Sequence, residues 1–203
     1  MPQPPTIILI GGPNGAGKTT LSKVMIAQTL GIAEFVNADV IAQGLSGFDP
    51  ERAALAAGRV MLHRLKELAM ARADFAFEST LASRTFAPWL KELSTSGYRI
   101  HLIFSWLNSP DLAVQRVKLR IRKGGHAVPP DVIRRRYARG IANFINLYIP
   151  VATEWCVYDN SYDSGPSVVA AGSSGQAPLI EDLDAWNQIL EIAHAQDPHQ
   201  DDH

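Results

Sequence analysis

Apolar runs of strand length alternate along the chain with longer stretches in which apolar positions recur at helical spacing. Thr6–Ile10 is β-branched and apolar at consecutive positions, the pattern of a parallel strand buried on both faces. Glu34–Ala38, Asp74–Phe77, the long run 98–107 and Trp155–Tyr158 read as four further strands. Between them, Lys18–Leu30 predicts a helix stopped by Gly31. Pro50–Ala73 predicts another, with Ala53, Ala57, Val60, Arg64 and Leu68 at helical spacing, and Phe86–Ser96 a third that ends at Gly97. Leu112–Lys123 follows a Ser109-Pro110-Asp111 start signal, and "GGHAVPP" at 124–130 breaks the chain. A helix from Asp131 to about Tyr148 sets Ile133, Tyr137, Ile141, Phe144 and Tyr148 on one face.

Strands alternating with helices predict an α/β fold, a three-layer sandwich with a mainly parallel five-stranded sheet and right-handed crossovers. After Asp159 the rhythm changes. Residues 166–180 read as a terminal hairpin around a Gly/Ser turn, Asp184–Ala195 as a closing helix, and 196–203 as a disordered polar tail. The expectation is a single domain over 1–195. The chain has 203 residues, 46% of them hydrophobic, enough for a sizeable core. Its net charge of -1 gives no prior for nucleic acid or membrane. Cys156 is the only cysteine, so no intramolecular disulfide forms, and a reducing cytoplasm is expected. The sequence has no signal-peptide pattern, and no apolar run approaches the ~20 residues of a membrane span.

The turn after the first strand changes the picture. In "GGPNGAGKTT", Gly12, Gly17, Lys18 and Thr19 satisfy G-x-x-x-x-G-K-[ST], with a strand before and a helix after. Gly12, Pro13, Asn14, Gly15, Ala16 and Gly17 form the candidate phosphate loop, continued by Lys18, Thr19 and Thr20. Such a loop curls its backbone N–H groups around phosphate oxygens, and the helix N-terminus adds partial positive charge. Lys18 is expected at the β- and γ-phosphates of ATP or GTP and Thr19 at Mg²⁺. The motif specifies nucleotide binding and leaves the reaction open.

A motor ATPase needs an apolar strand ending in Asp-Glu, whereas "DFAFEST" ends in Glu78, Ser79 and Thr80. The Leu-Ser-Gly of "GLSGFDP" comes too soon after the loop to be a transporter-ATPase signature. A kinase needs a base, an acceptor pocket and cations for the transferring group. Asp39, in "FVNADVIAQ", stands at the carboxyl edge of the sheet either as that base or as the cap of the next helix. Glu78 and Thr80 stand at the same edge, where they either bind an acceptor hydroxyl or cap the strand end.

Nine of the 19 Lys and Arg residues lie between 116 and 139, opposed only by Asp131: Arg116, Lys118, Arg120, Arg122, Lys123, Arg134, Arg135, Arg136 and Arg139. Around a Gly/Pro loop this reads as a lid, at about 112–148, that brings arginines to phosphate. A solvated basic face and a nucleic-acid track are the other readings, the last with poor aromatic interleaving. His126 in the loop reads as solvent-exposed or phosphate-touching.

With these motifs assembled, the chain resembles the zeta-toxin family of P-loop kinases, in particular its compact chromosomal members. The likeness runs from about Ile7 to Ser161 through "GGPNGAGKTT", "FVNADVIA", "FESTL", "RIRKGGHAVPPDVIRRRY" and "WCVYDNS". It implies a P-loop NTPase fold like that of nucleoside-monophosphate kinases and an ATP-dependent transfer to a hydroxyl of a small molecule. UDP-N-acetylglucosamine is the family's characterised acceptor, and NAD is an alternative. The resemblance further implies Asp39 as base, Glu78 and Thr80 as substrate-binding groups and two lid arginines. Arg120 and Arg136 are the expected pair, with Arg116, Arg122 and Arg134 as rivals. An antitoxin that blocks the nucleotide site is implied as a partner. A nucleic-acid-binding ATPase or polynucleotide kinase, and a nucleotide-binding switch without turnover, are the competing functions.

Overall fold

A computed structural model describes residues 3–25, 32–46, 50–122, 124, 125 and 127–196. Among the described residues seven strands form one sheet: β1 (Thr6–Gly11), β2 (Glu34–Val36), β3 (Phe75–Ser79), β4 (Arg99–Trp106), β5 (Glu154–Asp159), β6 (Ser167–Ser173) and β7 (Leu179–Ile180). Their order is β2-β3-β1-β4-β5-β6-β7. The first five are parallel, and β6 and β7 add antiparallel strands at one edge. The sheet therefore has seven strands where the sequence pattern suggested five beside a separate hairpin. The hairpin joins the sheet because β6 pairs with β5 along its length, past an irregularity at Val157/Tyr158.

The helices are α1 (Lys18–Met25), α2 (Ala38–Leu45), α3 (Pro50–Met70), α4 (Phe86–Thr95), α5 (Pro110–Arg122), α6 (Pro130–Asn143) and α7 (Leu183–His194). Alternation along β1 divides the core. Ile7 and Leu9 face a large cluster built with α3, α4, α6 and α7, while Ile8 and Ile10 face a small one that includes Leu21 of α1. Both faces are apolar, as a central parallel strand requires. The α1 helix begins at Lys18 as expected, and the expected stretch to Leu30 and the stop at Gly31 fall outside the described residues, as do Lys123, His126 and the tail from 197.

Most element boundaries shift by one to three residues from the sequence pattern, and two differences have a visible cause. The second strand ends at Val36 because Asn37 turns the chain into α2. The expected helix to Tyr148 is α-helical only to Asn143, then widens into a π-helical turn, Phe144–Tyr148, and a 3₁₀ turn, Ile149–Val151. The wider turn stacks Phe144 on Phe104 of β4, with ring centroids 4.3 Å apart. Among the described residues no helix is long and apolar enough to cross a membrane.

The closing helix α7 is fastened by Trp186, whose ring stacks on Trp155 of β5 at 5.5 Å and 15°. Both are buried. Trp186→Ala empties that contact and is expected to cost about 3–5 kcal/mol, measured by urea unfolding. A loss below about 1 kcal/mol would mean that α7 is held by other contacts.

Candidate active site

β1 delivers the chain to the carboxyl edge of the sheet, where Gly12 opens the phosphate loop at φ +140. A Cβ there would lie 2.2 Å from the Ser105 carbonyl oxygen of β4, so the loop passes over β4 only with glycine at this point. The Ala16 carbonyl accepts from Ser105 Oγ at 2.6 Å and from Asn160 Nδ2 at 2.8 Å. The ends of β4 and β5 thus hold the loop from beneath. Lys18 Nζ donates to the carbonyls of Gly12 at 2.8 Å and Pro13 at 2.9 Å. Burial of the ammonium pulls its pKa down to about 8, against the attraction of Glu78 and Asp39 and with the help of Arg120 and Arg136.

Beside the loop, one carboxylate gathers three elements. Glu78, at the end of β3, accepts from Thr19 Oγ1 at 3.0 Å, Ser22 Oγ at 2.9 Å and Asn37 Nδ2 at 3.0 Å. Asn37 is 7% exposed, and its Oδ1 also accepts the backbone N–H groups of Asp39 at 2.8 Å and Val40 at 3.3 Å. Asn37 is therefore the N-cap of α2. This removes the capping alternative for Asp39, whose carboxylate is left over for the cavity. Asp39 Oδ2 stands 4.0 Å from Arg120 Nη1. The Thr19 hydroxyl and the Glu78 carboxylate form a hard oxygen donor set of the kind Mg²⁺ takes.

These groups line one cavity of about 850 Å³. Its floor includes Asn14, Gly15, Gly17, Lys18, Thr19 and Thr20, while Gly12, Pro13 and Ala16 are buried below. Asp39, Glu78, Thr80, Arg120 and Arg136 are all in its wall. The rival arginines are otherwise engaged or outside. Arg116 also lines the wall, but its fork donates to the carbonyls of Asn160 at 2.6 Å and Ser161 at 3.1 Å. Arg134 is ion-paired with Asp111 of α5, and Arg122 is exposed and does not line the cavity.

Sequence reasoning missed several residues of this site. Ser22 and Asn37 organise Glu78, and the Asn two positions before Asp39 at a strand end was a readable cap signal. The far wall is the α3 face bearing Ala54, Leu55, Gly58, Arg59 and Leu62, faced by Phe86 and by Arg135 and Arg139 of α6. The small residues Ala54 and Gly58, four apart, were the available sign of a helix kept clear on one side.

A G-x-x-x-x-G-K-T loop after β1, the central one of five parallel strands in the order β2-β3-β1-β4-β5, defines the P-loop NTPase fold. The chain belongs to the AAA domain family, whose model matches residues 7–144. A Haemophilus influenzae protein described as uncharacterized is 27% identical over 126 residues, 62% of this chain and 88% of its own. Among solved structures, the AvrRxo1-ORF1:-ORF2 complex with ATP superposes with TM-score 0.72 at 15% identity, covering 92% of this chain. This chain spans 64% of that one's length. The toxin–antitoxin system PezAT of Streptococcus pneumoniae superposes with TM-score 0.63 at 17% identity, covering 96% of this chain and 86% of that one.

The pKa of Lys18 sets a pH dependence. Nucleotide phosphate favours the charged ammonium, so affinity holds below pH 8 and weakens above it as the free protein loses the proton. Titration calorimetry with ATP is expected to give a Kd that rises with pH above about 8, by up to ~10-fold per unit. A Kd that stays flat from pH 7 to 9.5 would mean that Lys18 keeps its proton throughout.

Proposed function

We propose that the chain is a Mg²⁺-dependent phosphotransferase that moves the γ-phosphoryl group of ATP, or of GTP, to a hydroxyl of a small molecule. The observation that carries this reading is the capping of α2 by Asn37, which leaves Asp39 unspent in the same cavity as Lys18 and Thr19. Loop amides and Lys18 bind the triphosphate. Thr19 and Glu78 would hold Mg²⁺, which offsets phosphate charge when bound. Asp39 takes the proton of the acceptor hydroxyl as its oxygen bonds to the γ-phosphorus. The bond from phosphorus to the β,γ-bridging oxygen breaks, and the nucleoside diphosphate leaves. Arg120 and Arg136 offset charge on the transferring group. Thr80 meets the acceptor from the strand-end side.

Charge supports a particular acceptor class. The cavity wall holds seven basic side chains, Lys18, Arg59, Arg116, Arg120, Arg135, Arg136 and Arg139, against the two carboxylates of Asp39 and Glu78. Arg59 stands on α3 and Arg135 and Arg139 on α6, away from the phosphate loop and α1 in the chain. A Mg²⁺-bound triphosphate does not use up this surplus. It suits an acceptor with its own phosphates, a nucleotide sugar such as UDP-N-acetylglucosamine, with NAD as the alternative. The inward turn of Arg120 and Arg136 and the internal pairing of Arg116 and Arg134 speak for a small-molecule cavity over a nucleic-acid track. A protein partner that covers the nucleotide site belongs to the same reading.

The test is phosphate transfer from γ-labelled ATP to UDP-N-acetylglucosamine, other nucleotide sugars, NAD and a 5′-hydroxyl oligonucleotide. Label on a nucleotide-linked hydroxyl is expected. Label on the oligonucleotide alone, in free phosphate alone or nowhere would overturn the acceptor assignment. Asp39→Asn is expected to lower transfer by about 10²–10⁴-fold and to leave ATP affinity within about twofold. Equal loss of both would remove Asp39 from the role of base.

A further inference from the structure

The segment that follows β3 carries part of the cavity wall. Thr80, Ala82, Ser83 and Thr85 line the cavity, while Leu81 between them points the other way and is fully buried. Leu81 has φ +57, a left-handed conformation that a leucine rarely adopts. Its side chain packs at Gly11, the last residue before the phosphate loop, where an added Cβ would lie 2.6 Å from Leu81 Cδ1. This strap, residues 79–85, is therefore wedged against the strand that carries the loop.

Three contacts from one helix hold the strap in that conformation. Gly140 of α6 lies so close that a Cβ would come within 2.5 Å of the Thr80 carbonyl oxygen. Asn143 Nδ2 donates to the Leu81 carbonyl at 2.7 Å, and Asn143 is 7% exposed. Tyr148 Oη, brought round by the π-helical turn, donates to the Ser83 carbonyl at 2.7 Å. The carbonyls of Thr80, Leu81 and Ser83 are thus met in chain order by α6 and the π-helical turn that continues it.

The same helix face continues into the cavity. Arg136, Gly140 and Asn143 are spaced i, i+4, i+7 and share one stripe of α6, with Arg136 in the cavity and Asn143 on the strap. A parallel stripe, Ile133, Tyr137 and Ile141, is buried in the core. The α6 helix cannot shift without moving both Arg136 and the strap carbonyls.

We infer that Asn143 is a positioning residue: by holding the Leu81 carbonyl to α6 it fixes the separation between Arg136 at the triphosphate and Thr80 at the acceptor. Asn143 touches neither substrate and acts through the strap. Engagement of Arg136 by nucleotide is then transmitted to the strap. The kinetic consequence rests on the phosphotransferase reading above, whereas the mechanical coupling does not.

The primary experiment is backbone hydrogen exchange of the whole protein with and without a non-hydrolysable ATP analogue and Mg²⁺. In the wild type, nucleotide is expected to slow exchange of the Thr80–Thr85 amides by at least ~5-fold, alongside protection of the phosphate loop. Asn143→Leu, close in size but without the donor, is expected to keep the loop protection and reduce strap protection below about twofold. Tyr148→Phe removes only a hydroxyl and is expected to weaken strap protection to an intermediate degree; it carries the test if Asn143→Leu does not fold. Strap protection equal to wild type in the folded variants, or none in the wild type, overturns the coupling.

The kinetic arm follows transfer from γ-labelled ATP to UDP-N-acetylglucosamine. Asn143→Leu is expected to lower kcat by about 10–100-fold with little change in KM for ATP, and to add little to Arg136→Ala. A residue that merely props up the fold would add its full effect in that background, and this result would also overturn the proposal. If the wild type transfers to no acceptor while the exchange pattern holds, the phosphotransferase reading fails and the coupling stands.

Discussion

The carboxylate of Glu78 is the contact on which the site depends. It is one side chain at the end of β3, and it accepts from α1 through Thr19 and Ser22 and from the start of α2 through Asn37. A carboxylate with three donors is among the stronger arrangements available to a partly buried acid, because each bond is charge-assisted. It fixes the Thr19 hydroxyl beside the phosphate loop and pulls Asn37 into the capping position. That capping in turn releases Asp39. The disposition of candidate metal ligand, cap and candidate base is thus tied to one carboxylate, and Asn37 reaches Glu78 and the start of α2 through the two ends of its amide. Glu78 is also the group whose charge does most to offset the burial of the Lys18 ammonium.

The basic residues form a second layer of constraint. An excess of arginine in a concave wall is self-repelling, and it persists where each guanidinium has a fixed partner or a ligand to meet. Arg116 meets backbone carbonyls at the end of β5, and Arg134 meets Asp111. Arg120 lies near Asp39. Those internal pairings sort one dense basic stretch into structural arginines and cavity arginines.

Much of this was legible in the sequence, for a physical reason. The phosphate loop can be read because its geometry is a backbone requirement: Gly12 passes over the Ser105 carbonyl, and no other residue type fits. The parallel strands can be read because burial on both faces demands consecutive apolar residues, as in Ile7–Ile10 of β1 and Leu102–Phe104 of β4. The arginines facing the cavity could be narrowed only to a set, because helical spacing leaves several registers and does not show that Arg116 binds the carbonyls after β5 or that Arg134 pairs with Asp111. The joining of β6 to β5 was hidden because antiparallel pairing at an edge has no signature beyond the hairpin itself. The far wall along α3 was hidden for a related reason. A helix that lines a cavity and one that faces solvent carry the same exposed Leu55 and Arg59.

The strap and α6 are fastened to each other and to the core. A non-glycine residue in the left-handed region costs about 1–2 kcal/mol, and Leu81 is held there by a wedge at Gly11 on one side and by Asn143 on the other. With its core stripe, its strap stripe and the π-helical turn behind it, α6 is anchored on three sides. The first half of α5 is anchored too, through buried Ala113, Val114 and Val117 and the clamp of Arg116. In the last turn of α5, Leu119 and Ile121 are exposed, and the Ile121 and Arg120 carbonyls accept from the N–H groups of Gly124 and Gly125. The two cavity arginines are thus carried differently: Arg136 stands on the α6 stripe that continues to the strap, and Arg120 on the last turn of α5, 4.0 Å from Asp39.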